Sequence, residues 1–93
     1  MILLISYDLN EPGRDYTALH EEIKKAGVWW HHLDSTWLIQ TNFGPEKWQR
    51  RLRKHMDDND SLLIIEVRGN YNGWLPQKAW NWLSARDFRR ANR

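Results

Sequence analysis

The chain has 93 residues, seven of them tryptophan, no cysteine, and a formal charge of +2. That length allows one domain with one modest core. The missing cysteines exclude a disulfide scaffold, a thiolate nucleophile and a cysteine-ligated zinc.

The first segment, Ile2-Leu3-Leu4-Ile5-Ser6-Tyr7, is a short apolar run that ends in Asp8 and the loop sequence Asn10-Glu11-Pro12-Gly13. It reads as a buried strand that delivers a carboxylate to its C-terminal edge. The run lacks a basic leader and is too short to cross a bilayer, so neither a signal peptide nor a membrane span is expected and the chain reads as cytoplasmic. Asp15 is the expected N-cap of a first helix. Tyr16, Leu19, Ile23 and Ala26 recur there at helical spacing, and Gly27 closes it. Val28 to Leu33 and Thr36 to Thr41 are rich in β-formers and flank Asp34-Ser35, so they read as a hairpin. Pro45 suits the first turn of a second helix. Its apolar stripe is Trp48, Leu52 and Met56, and Lys47, Arg50, Arg51 and Lys54 fall on the opposite face. The turn Asp57-Asp58-Asn59-Asp60 precedes a fourth strand from Ser61 to Val67.

The order β-α-β-β-α-β predicts an α+β fold of the ferredoxin-like kind, with an antiparallel four-stranded sheet and both helices on one face. One domain spans 1–93, with a core to about residue 69 and a C-terminal extension over 70–93. The first and fourth strands are apolar on both faces, so the second sheet face needs a cover. A second subunit packed sheet on sheet is one answer. The tail is the other: Trp74-Leu75-Pro76 leads into a short helix over about 77–85, and Trp74, Trp80 and Leu83 are expected to be largely buried.

Asp8 has two readings. It accepts amides of the following loop, or it joins its symmetry mate to hold magnesium or manganese, which prefer carboxylate oxygens. His31 and His32 are adjacent on a strand and point to opposite faces, so they cannot share a metal within one chain. Either suits acid–base chemistry near neutrality, although a histidine at a hairpin end is more often structural. His20 and His55 are expected at the surface. Ser35 has no visible base partner and reads as a turn residue. Trp29 and Trp30 could stack on bases, but their strand positions favour packing. No phosphate-cradling glycine loop or zinc-spaced cluster is present, which disfavours ATP hydrolysis and zinc chemistry. Cations are concentrated in two places, Lys47 to Lys54 and Arg86, Arg89, Arg90 and Arg93. Two basic patches on a nearly neutral chain favour an anionic partner, and nucleic acid is the leading candidate.

Tyr7-Asp8 at the end of the first strand, the loop with Pro12 and Arg14, Gly27 before the second strand, Leu33-Asp34-Ser35-Thr36-Trp37 at the hairpin, and Asp60-Ser61-Leu62-Leu63-Ile64 together resemble the CRISPR-associated Cas-two family over about residues 1–69. Small SinR-like proteins look nearer still, and VapD-like toxins, linked to RNA cleavage, look like more distant relatives. The resemblance implies a ferredoxin-like homodimer whose partner is nucleic acid. It also implies a divalent metal (magnesium or manganese) at Asp8 near the two-fold axis, and endonuclease activity on RNA or DNA in some members. Asp8 and Arg14 would then be the catalytic residues, Arg14 steadying phosphate, and Lys47, Arg50, Arg51 and Lys54 the nucleic-acid surface. The tail from Gly73 to Trp82 departs from the family's closing strand. The alternative is a non-catalytic dimeric scaffold or regulator that binds protein or nucleic acid, since one acidic residue without a clear second ligand is thin equipment for hydrolysis.

Overall fold

A computed structural model of the protein describes residues 1–88; Arg89, Arg90 and Arg93 of the C-terminal basic cluster lie outside the described residues. The elements are β1 (Ile2–Asp8), α1 (Thr17–Lys24), β2 (Val28–Leu33), β3 (Thr36–Gln40), α2 (Pro45–Arg53), β4 (Ser61–Val67) and α3 (Gln77–Ser84). The four strands form one antiparallel sheet in the order β2-β3-β1-β4. The hairpin and the helix-opening Pro45 are where local chemistry put them. Gly27 follows α1 with φ of 86°, a left-handed conformation that glycine adopts without a Cβ clash. The helix start differs by one residue. Tyr16 occupies the N-cap position of α1, and Asp15, one residue earlier, accepts the Thr17 amide at 2.9 Å and the Thr17 hydroxyl at 2.6 Å.

Strand alternation sorts the core into two layers. Leu3, Ile5 and Tyr7 of β1 and Trp37 and Ile39 of β3 face α1 and α2, where they pack with Leu19, Ile23, Trp48 and Leu52. Met56, just past α2, completes that layer. Ile2, Leu38 and Trp30 face the other way and pack with Ala79 and Leu83 of α3. Trp30 also donates its indole N–H to the Ala79 carbonyl at 3.2 Å, which pins α3 to the edge strand β2. The chain's own tail therefore supplies part of the second cover.

That cover is incomplete. On β4, Val67 packs against this layer, but Leu63 and Ile65 on the same face remain open, 56% and 48% exposed. Leu33 is likewise exposed. A groove of about 140 Å³ marks the border between the covered and bare halves, where Leu4, Leu33 and Thr36 of the sheet meet Leu75 and Trp80. The expectation for the tail needs one correction. Leu83 is buried and Trp80 half-buried, but Trp74 is 99% exposed. The loop from Gly69 to Pro76 carries its indole away from the sheet, and Leu75, the next residue, takes the position against the groove.

Candidate functional site

Asp8 ends β1 opposite Ser61 of β4, on the sheet face that α3 leaves bare. Its carboxylate is exposed and takes no hydrogen bond or ion pair from the described residues. The expected loop-capping role is absent there. Ser6, Asp8, Ser61 and Leu63 share a shallow hollow of about 180 Å³. No group of three metal-ligating side chains exists among the described residues. One chain thus offers one carboxylate flanked by two hydroxyls, and a hard divalent ion needs more oxygen ligands than that.

The carboxylate that organises the loop after β1 is Asp60. It accepts the Asn10 amide at 2.7 Å, the Tyr16 hydroxyl at 2.8 Å and the Asp57 amide at 2.7 Å. Burial pushes its pKa up, but these donors outweigh burial and hold it below the usual carboxylate range. Arg14 belongs to this loop assembly: its guanidinium lies 3.5 Å from Asp57 and packs over the Tyr16 ring. Asp8 and Arg14 are therefore both at the C-terminal end of β1, but Arg14 does not line the hollow that holds Asp8.

A second ionisable group, unforeseen from sequence, lies on the helix-covered face. Trp37 Nε1 donates to the Tyr7 hydroxyl at 2.9 Å. The same hydroxyl shares a hydrogen bond with His20 Nε2 at 3.1 Å and can donate to the Asp34 carbonyl at 3.5 Å. His31 stacks on Trp37 with ring centroids 3.7 Å apart, and His32 meets Trp30 on the opposite face, as strand alternation requires. His20 is thus half-buried and not a surface residue. The one sequence clue was Tyr7 itself: an inward tyrosine needs a partner for its hydroxyl.

The pKa of His20 lies below the ordinary histidine value. Burial is the main cause, aided by His31 and Lys24 and opposed by Glu21 and Asp15. Because the folded value is the lower one, the unfolded chain takes up this proton first, and stability falls as pH drops through about 6.5. Melting temperature should therefore decrease between about pH 7 and 5.5. His20→Gln keeps a hydrogen-bonding group toward Tyr7 without the titrating ring and should flatten that slope. An unchanged slope in the variant would remove His20 from the account.

The basic face of α2 is only partly free. Arg50 pairs with Glu46 at 2.8 Å, and Arg51 with Glu22 of α1 at 2.9 Å while stacking 3.8 Å over the Trp48 ring. Lys47 sits 3.8 Å over the Phe43 ring, and neither Lys47 nor Lys54 has a carboxylate partner among the described residues. Gln49, Arg50, Arg53 and Lys54 line an open depression on one side of this stripe. A second depression on the other side includes Arg51. Glu22 is the unexpected centre of this region. It contacts Lys25 at 3.1 Å, Arg51 at 2.9 Å and His55 at 3.6 Å. Its burial raises its pKa, and the bonds from Lys25 and Arg51 more than reverse that, holding it below the usual glutamate value.

No helix among the described residues is long and apolar enough to cross a membrane. No protein-family profile and no curated protein sequence matches this chain.

Proposed function

We propose that this chain is a ferredoxin-like, Cas-two-like protein that acts as a homodimer on nucleic acid. The observation that carries the reading is the cationic stripe of α2. Lys47, Arg50, Arg51 and Lys54 are spaced on one helical face, and only two of the four are paired with carboxylates. Such a stripe tracks a phosphate backbone without fixing sequence. The dimer reading is supported by the bare half of the second sheet face, where Leu63 at the Asp8 hollow, Ile65 on the same strand and Leu33 at the groove are exposed. Exposed apolar patches of this kind mark association surfaces.

The enzyme form of this reading is a magnesium- or manganese-dependent endonuclease. It requires the dimer, because the donor set of one chain is too small for the metal. Asp8 from each copy would hold the ion, and a divalent ion there supplies Lewis-acid stabilisation of a phosphoryl oxygen. Within one chain, Ser6 and Ser61 flank the carboxylate and Arg14 steadies the neighbouring loop. A dimeric scaffold without cleavage is the alternative, supported by a hollow whose lining includes no carboxylate but Asp8 among the described residues.

Sedimentation at micromolar concentration tests the assembly. Wild type should run as a dimer, and Leu63→Glu with Ile65→Lys should run as a folded monomer. A monomeric wild type would remove the interface. Melting temperature with and without manganese, and incubation with RNA and DNA, separate the two forms. The enzyme predicts a manganese-dependent rise that Asp8→Asn abolishes, together with cleavage. Intact nucleic acid and no metal response would leave the scaffold.

A further inference from the structure

A depression of about 300 Å³ lies where the end of α1, the start of β2, the end of β3 and the start of α2 meet. Its wall brings Lys25 and Arg51 together with Asn42, Phe43, Val28 and Trp48. The charge balance is uneven. Glu22 receives Lys25 on Oε1 and Arg51 on Oε2, so one carboxylate faces two cations. Lys47, over the Phe43 ring at the rim, adds a third cation.

Arg51 is held ready for an anion. Its Nε is taken by Glu22, and its plane lies 3.8 Å over the buried Trp48 indole. Both terminal nitrogens of the guanidinium are left without a partner among the described residues. A guanidinium fixed in this way presents a planar fork that matches two oxygens of one phosphate. Phe43, 44% exposed, lines the same depression as that fork, with Lys47 over one face of its ring. The Asn42 side chain is likewise unpartnered among the described residues and can bond a base edge. A volume of this size is at the small end of ligand pockets and suits one nucleotide.

We propose that this depression seats one nucleotide of a single strand, with phosphate on Arg51 and Lys25 and the base against Phe43. This rests on the nucleic-acid reading above and adds strandedness to it. Bases inside a duplex are stacked on both faces and cannot reach Phe43, whereas single strands are bound through aromatic platforms in cationic grooves. The pocket continues into the α2 stripe through Arg51 and Lys47, so neighbouring phosphates have cations to follow.

The full chain should be titrated into a labelled single strand of about 12 nucleotides, and into its duplex, at about 50 mM salt. The single strand should bind more tightly than the duplex. Phe43→Ala, an exposed loop change, should weaken single-strand binding about tenfold and leave the duplex unchanged. Glu22→Gln releases both cations and should tighten single-strand binding, whereas a purely structural Glu22 would give no gain. Melting temperature of each variant confirms that it is folded. Equal affinity for both forms, with no effect of Phe43→Ala, would overturn the pocket. If Arg50→Gln with Lys54→Gln still weakened both forms, the nucleic-acid reading would stand without it. No binding of either form by wild type would overturn both.

Discussion

Replacing Trp37 by alanine is expected to cost about 3–5 kcal/mol of folding stability. Trp37 is buried on β3 opposite Ile5, in the middle of the sheet. Its indole packs in the layer under α1 and α2, carries the stacked His31 ring, and donates to the Tyr7 hydroxyl. Alanine removes one of the two fully buried tryptophans of that layer and takes away an indole donor to Tyr7. A domain of this size has about 5–15 kcal/mol in total, so the variant is expected to be largely destabilised. The expected fall in melting temperature is about 4–8 °C for each kcal/mol lost. Trp37→Phe isolates the polar part. It keeps an aromatic ring in the layer and loses the N–H, with an added cost of about 1–2 kcal/mol from the hydrogen bond. Urea denaturation of the three proteins measures both. A Trp37→Ala chain within about 1 kcal/mol of wild type would contradict this account of the core.

Reversing Arg50 and Lys54 to glutamate is expected to have the largest effect on nucleic-acid binding. Both side chains are exposed on the outer face of α2, away from Trp48 and Leu52, so the fold should survive. Arg50 loses its surface pair with Glu46, which contributes about 0.3–0.5 kcal/mol, and the new like-charge neighbours at i,i+4 cost a similar amount. Each phosphate contact removed should lower the slope of log affinity against log salt by about 1. Wild-type affinity should fall steeply between about 50 and 200 mM salt, and the double variant should bind weakly throughout. A double variant with wild-type affinity and slope would make the stripe a solvated surface. Arg51 is left out of this test because its pair with Glu22 joins α1 to α2, and its loss would mix binding with packing.

The two largest effects fall on parts of the chain that the sequence reveals unequally. The strands and helices were legible because their signals are local. The short apolar run from Ile2 into Tyr7, the 3.6-residue recurrence in Trp48, Leu52 and Met56, Gly27 after α1 and Pro45 at the start of α2 each constrain backbone within a few residues. The cationic stripe was legible for the same reason, since helical spacing alone places Lys47, Arg50, Arg51 and Lys54 on one side. The exposed position of Asp8 was half legible: the strand register put it at an edge, but not that Asp60 and not Asp8 would hold the next loop.

What the sequence by itself determined about this protein is therefore its set of elements and which of their faces are apolar. Only the tertiary structure decided what covers those faces and which side chains meet. It set α3 over half of the second face, left Leu63 and Ile65 bare, and turned Trp74 outward. It gathered Lys25, Arg51 and His55 around Glu22, and Tyr7, His20 and Trp37 around one hydroxyl. Periodicity states that a surface must leave water, but the partner that accepts it lies tens of residues away. That pairing is selected by the packing of the whole chain, which no local pattern encodes.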